Sequence, residues 1–155
     1  MLNIRPVKKQ DIGSLARLFA EVYRIFDIGE HWTEETATDY LNAWLDKQPD
    51  LAFLAEFDGK IVGAFFSGIK PWWDGIHLFD GEIFVDPNFQ KQKIGSSLLK
   101  TVLQTAIEKY GAKTFDAFTF NRTEHPLSWY KKIGFREIKE WTMFTGDIKT
   151  VLKNI

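Results

Sequence analysis

From Val85 to Leu99 the chain reads Val-Asp-Pro-Asn-Phe-Gln-Lys-Gln-Lys-Ile-Gly-Ser-Ser-Leu-Leu: the end of an apolar run, a polar loop with two lysines, then glycine and serine at the threshold of a helical pattern. Residues of these types in this order suit an anionic ligand. Backbone N–H groups in the first turn of a helix have no intrahelical partner, and the helix dipole adds to their pull on a phosphate. Gly95 and Ser96 stand at that point, Lys91 and Lys93 bring positive charge, and Gln90 brings an amide donor. The same residues also suit a solvated loop ahead of an ordinary helix, and the loop by itself leaves both readings open. It is neither a Walker loop nor a dinucleotide fingerprint. Just upstream, Asp80-Gly81-Glu82 lies in a strand-like run, where alternation puts both carboxylates on one face.

Other chemistries are excluded by what is missing. With no cysteine, disulfide frameworks, thiolate metal sites, iron–sulfur clusters and cysteine nucleophiles drop out together. The three histidines, His31, His77 and His125, lie far apart without paired spacing, so no metal site is expected. A net charge of −1 offers no global cationic field, which argues against nucleic acid as the main partner. There is no run of 18 apolar residues and no basic-then-apolar leader pattern, so the expectation is a soluble cytoplasmic protein with no membrane partner. The length of 155 residues fits one compact domain, residues 1–155, large enough to bury a core without staples.

The elements that must position the loop follow from hydrophobic periodicity. Leu2 and Ile4 alternate as a short strand, and Leu15, Leu18, Phe19, Val22 and Tyr23 share one face of a helix over 11–26. A second helix starts near Glu34, with Thr33 as N-cap, and stops before Pro49. Residues 51–57 and 60–69 read as a hairpin around Asp58-Gly59, and 77–85 as a third strand of the meander. A long helix over 94–110 ends at Gly111, a strand runs over 114–120, a short helix spans 126–132 before Gly134, and 135–145 supplies one or two closing strands. The predicted class is mixed α/β in the order β-α-α-β-β-β-α-β-α-β.

With these motifs in that order, the chain resembles the GNAT superfamily of acyl-CoA-dependent N-acetyltransferases over most of its length. The family's loop pattern is Arg/Gln-x-x-Gly-x-Gly/Ala after a strand ending in an apolar-valine-x-proline run. Gln90 fits its first position and Gly95 its last, while Lys93 occupies the place of the usual first glycine, so the turn there is open to differ. The second feature is an Asn at the end of the next strand, then a short helix and Tyr-x-x-x-Gly-Phe, matched by Asn121 and by Tyr130 to Phe135. Glu124-His125-Pro126 ahead of Tyr130 is similar to a subset of aminoglycoside N-acetyltransferases.

The resemblance implies acetyl-CoA as acyl donor, held without a metal between two splayed parallel strands that end near Val85 and Phe120. Cofactor-binding positions are then Phe84, Val85, Gln90, Lys91, Lys93, Gly95, Ser96 and Asn121, with a strand N–H near Val85 polarising the thioester carbonyl. Tyr130 corresponds to the family tyrosine that points at the sulfur and is the expected general acid; a packed core aromatic is the alternative. Glu82 is the first choice and Asp80 the second for accepting the amine's proton, and otherwise either anchors a cationic acceptor. Acceptor contacts are expected from the first two helices and their loop, with Phe26, His31, Trp32, Tyr40 and Trp44, and from the turn Trp72-Trp73-Asp74. Tryptophan with Asp and Glu suits a cation, which favours a small aminoglycoside- or polyamine-like amine. The tryptophans equally suit core packing and a homodimer contact. The alternatives to a small-molecule acceptor are a protein or peptide amine, or a regulatory module that binds acyl-CoA without catalysis.

Overall fold

The computed structural model describes residues 1–121 and 124–155, which fall into two compact units, Met1–Phe118 and Thr119–Ile155. The first holds β1 (Leu2–Pro6), α1 (Ile12–Phe26), α2 (Glu34–Lys47), β2 (Ala52–Phe57), β3 (Lys60–Trp72), β4 (Gly75–Val85), α3 (Ile94–Tyr110) and β5 (Thr114–Asp116). The strands form one sheet in chain order; β1 to β4 are antiparallel neighbours and β5 runs parallel to β4. This is the mixed sheet expected from the sequence. Asp58 and Gly59 both adopt positive φ, which lets two residues turn β2 directly into β3. Thr33 caps α2 by accepting from the Thr36 N–H, and Gly111 closes α3 in the left-handed conformation.

Periodicity decides the packing. Ile12, Leu15, Ala16, Phe19 and Val22 of α1 and Ala37, Leu41 and Leu45 of α2 share a core with Leu54, Ala64, Phe66 and Phe84 of the sheet. Phe65, one residue along β3 from Phe66, faces the other way and meets Phe115 of β5. In α3, Leu98, Leu99, Val102 and Ala106 are buried where the helix packs on β2, β3 and β4.

The second unit differs from expectation. It contains α4 (Glu124–Lys132), whose residue His125 is extended, so the regular turns begin at Pro126, and α5 (Ile148–Lys153). Residues 135–145, read as closing strands, form no strand, and the strand expected over 114–120 stops at Asp116. A strand exists only through a ladder with a neighbour, and an alternating pattern specifies a face without supplying that neighbour.

Candidate active site

The long strand β4 organises the site. It pairs with β5 only from His77 to Phe79, and the ladder ends where a β-bulge begins. Ser67 of β3 lies opposite Gly81 and Gly68 opposite Phe79, so Asp80 is the extra residue, with φ of 54°. Gly81 follows at φ 134°, and a β-carbon there would run into the Phe66 carbonyl oxygen. Ser67 Oγ donates to the Asp80 carbonyl at 2.6 Å, fixing the bulge from the neighbouring strand.

The bulge qualifies one expectation. Alternation is expected to place Asp80 and Glu82 on one face, and the strand between them is irregular, with Asp80 as the extra residue, while both carboxylates interact with groups of α2. Asp80 accepts backbone hydrogen bonds from Gly81 and Phe118, and burial pushes its pKa up. Its carboxylate is thus engaged with backbone donors, yet its charge still raises the pKa of Glu82.

Glu82 is held differently. Tyr23 of α1 donates its hydroxyl to Glu82 Oε2 at 2.7 Å, and Tyr40 of α2 donates to Oε1, also at 2.7 Å. Burial drives the pKa of Glu82 up while the two hydroxyls draw it down, and Asp80 and Glu30 add repulsion. Both phenols are pushed well above their ordinary range, chiefly by burial and then by the carboxylate beside them. They therefore stay protonated and act as donors. Aromatic rings enclose the group: Phe19 meets Tyr23 at 4.5 Å, Trp32 at 5.1 Å and Phe84 at 5.2 Å, and Trp32 meets Tyr40 at 4.9 Å. Trp32, expected at the acceptor site, donates its Nε1 to Glu30 at 2.7 Å.

Past Val85, Asp86 is buried, accepts the Asn88 N–H at 3.0 Å and pairs with Lys60 at 2.9 Å. The Gln90 amide, expected to face an anion, donates to the Val85 carbonyl at 3.2 Å, which leaves its second N–H for other use. Lys91 and Lys93 are exposed and both adopt positive φ, 61° and 64°. At Lys93 the backbone has thus taken the conformation that glycine adopts freely, although the residue is not glycine. The first α3 bond runs from the Ser97 N–H to the Lys93 carbonyl at 2.9 Å, so the amides of Ile94, Gly95 and Ser96 have no partner in the helix. A β-carbon on Gly95 would find only the Val85 Cγ2 methyl, at 3.9 Å, and its φ is not left-handed. Neither packing nor backbone conformation requires glycine there, whereas a pyrophosphate lying on these amides would. The loop's donors and charges fit coenzyme A.

The aromatic turn sits elsewhere. Trp72 ends β3 and pairs with Gly75, whereas Glu82 pairs with Phe66, roughly 20 Å away along the strands. Trp73 is 87% exposed, Lys70 Nζ lies 3.7 Å from the Trp72 ring centre, and Asp74 bonds His77 Nε2 at 2.8 Å. The structure does not bring Trp72, Trp73 and Asp74 to Glu82. Tyr23 and Tyr40 carry the reverse lesson: Tyr23 appeared in the sequence only as a face residue and Tyr40 as one of several aromatic acceptor contacts, and neither was expected to bond Glu82. A hydroxyl on each of two otherwise apolar helix faces was the signal available.

In the second unit, the helix bearing Tyr130 ends as Tyr-x-x-x-Gly-Phe predicts. Gly134 turns at φ 104°, the Phe135 N–H donates to the Tyr130 carbonyl at 3.0 Å, and the two rings meet edge-on at 5.1 Å. Asn121 is exposed. No helix among the described residues is long and apolar enough to cross a membrane.

Comparisons with known proteins bear on the family and the fold. The profile of the acetyltransferase (GNAT) family matches residues 14–135. N-alpha-acetyltransferase 30 of Dictyostelium discoideum is 31% identical over 148 residues, covering 92% of this chain and 72% of its own. An uncharacterized N-acetyltransferase of Methanocaldococcus jannaschii is 29% identical over 146 residues, covering 90% of this chain, which spans only 64% of that protein's length. Among solved structures, an aminoglycoside N-acetyltransferase in complex with CoA superposes with a TM-score of 0.74 at 20% identity, covering 96% of this chain and 95% of the other. That likeness is one of fold. The profile spans most of the chain and the Dictyostelium relative most of its length, and the chain belongs to the GNAT family of acetyltransferases.

Proposed function

We propose that the protein is an acetyl-CoA-dependent N-acetyltransferase acting on a primary amine of a small cationic acceptor, by direct attack in a ternary complex. The observation that carries this reading is Glu82, a carboxylate held by two phenols among aromatic rings on the strand that leads into the loop. A carboxylate beside Trp32, Tyr23 and Tyr40 draws an ammonium by charge and by the ring faces. When bound, acetyl-CoA supplies the acetyl thioester. The amides of Gly95 and Ser96, with Lys91 and Lys93, hold its pyrophosphate. Phe84, Val85 and the edge of β4 beyond its pairing with β5 line its arm, with Asn121 as a further contact.

The amine must lose a proton before it attacks, and Glu82 takes that proton directly or through water, each carboxylate oxygen having a second lone pair beyond its tyrosine bond. Asp80 serves as an electrostatic neighbour. As the C–N bond forms and the C–S bond breaks, the nitrogen gives up its second proton to solvent, Tyr130 gives its hydroxyl proton to the departing thiolate, and Tyr130 regains and Glu82 releases a proton by exchange with solvent. A second reading, transfer to a protein or peptide N-terminus, draws support from the N-alpha-acetyltransferase relative.

The test is thiol release from acetyl-CoA with aminoglycosides, polyamines, and peptides bearing a free N-terminus or lysine. Release with the small polyamines or amino sugars supports the first reading, release with peptides alone supports the second, and acetyl-CoA binding without any release favours a regulatory module. Tyr130→Phe should lower turnover by about 10²-fold with acetyl-CoA affinity retained; equal loss of both makes the tyrosine a packing residue.

A further inference from the structure

Glu82 is tied to both of the first two helices at once, and that tie is available for a purpose the family assignment does not state. Tyr23 reaches it from α1 and Tyr40 from α2, each on a different carboxylate oxygen and each at 2.7 Å. The two phenols are themselves fixed by ring contacts: Tyr23 on Phe19, and Tyr40 on Trp32 and on Trp44, at 6.4 Å. Phe19 in turn sits against Phe84, two residues along β4 from Glu82. A carboxylate with one donor can pivot about its side-chain torsions, whereas one with a donor on each oxygen, from two separate helices, cannot turn without breaking a bond.

We propose that Tyr23 and Tyr40 are the positioning residues of the active site: their hydroxyls, one on each oxygen, hold the Glu82 carboxylate in one orientation to meet the acceptor amine. The proposal rests on the role given to Glu82 above. The charged and titratable groups around Glu82 show why the two donors matter. Glu30, in the loop between α1 and α2, and Asp80, on β4 itself, repel the charge, and burial opposes it as well. Lys47 of α2 acts on Asp80. The phenolic hydroxyls are the groups that lower the pKa of Glu82. Removal of either leaves the burial and the repulsion in place, so the carboxyl must take up its proton at higher pH.

Phenylalanine keeps each ring and deletes only the hydroxyl, so Tyr23→Phe, Tyr40→Phe and the double variant isolate the bond. The whole protein, labelled with 13C at glutamate carboxyls, is titrated by NMR, and the Glu82 resonance is identified by its absence in Glu82→Gln. The midpoint is expected to move to higher pH in each single variant and further in the double. With the best acceptor found, the ratio of activity at pH 6 to activity at pH 8 should fall in each single variant and further in the double. A Glu82 midpoint that stays in place in both single variants overturns the proposal, as does a loss of activity that is uniform across pH, which marks the tyrosines as structural only. If instead the midpoint moves but Glu82→Gln retains wild-type turnover, the role assigned to Glu82 is what fails, and the positioning of an inert carboxylate falls with it.

Discussion

The two halves of the site lie at successive stretches of one chain segment, yet they are built on opposite principles. From Asp80 to Glu82 every polar group found is satisfied from within: Ser67 holds the Asp80 carbonyl, backbone amides hold its carboxylate, and two phenols hold Glu82. From Gln90 to Ser96 the cations are exposed, the first helical amides have no helix partner, and a glycine sits where the fold does not need one. The first region is preorganised by side chains from three elements, and the second offers backbone and charge to a ligand. Changes in the first should therefore disturb folding or catalysis, and changes in the second should disturb binding alone.

The two glycines give the sharpest contrast. Gly81→Ala sets a β-carbon against the Phe66 carbonyl at a positive φ, and is expected to cost roughly 3 kcal/mol or more, seen as a large fall in Tm. Glu82→Gln keeps the shape and should lower kcat/KM by about 10²- to 10³-fold with acetyl-CoA affinity unchanged by calorimetry. Gly95→Trp should abolish acetyl-CoA binding while Tm barely moves. Gly95→Ala, which meets only a methyl at ordinary contact distance, should raise stability by roughly 0.5–1 kcal/mol and still weaken the cofactor. Cofactor affinity that survives Gly95→Trp would erase the comparison at its binding end.

Lys93→Gly relieves a left-handed lysine but adds glycine's own entropy cost, so Tm should change little, and loss of its charge should weaken acetyl-CoA binding a few-fold. The smallest effect is expected at the far end of β4. His77 lies between Asp116 at 2.5 Å and Asp74 at 2.8 Å, and these carboxylates raise its pKa above the ordinary 6.5. A folded pKa above the unfolded one means that the contribution is complete below about 6.5 and disappears as pH rises through the folded value. His77→Asn should accordingly lower Tm more at pH 6 than at pH 9, and an equal loss at both would show that the imidazolium is not what stabilises the β4–β5 junction.

Much of the scaffold was legible because its signals are local. The Asp58-Gly59 turn, the Thr33 cap, the α3 span and its Gly111 stop each depend on a few neighbouring residues whose backbone preferences point one way. The loop ahead of α3 and the start of that helix were legible for the same reason, since they are built from consecutive residues. Lys93 is the instructive detail: its type suggested a different turn, and the structure keeps the glycine-like turn with lysine in it. What was not legible depended on partners distant in sequence. The bulge at Asp80 appears only against Ser67 and Gly68 of β3, and the strands expected over 135–145 had no neighbour to define them.

The sequence by itself determined the order of elements, the loop with its glycine and lysines, and the presence of a carboxylate on the strand before it, because each is encoded in residues within a few positions of one another. Only the tertiary structure decided what that carboxylate is. Tyr23 and Tyr40 lie 59 and 42 residues from Glu82 along the chain, and no periodicity pairs them with it. Packing α1 and α2 over one sheet face brought their hydroxyls to its two oxygens, and low-dielectric burial made those bonds matter for its charge.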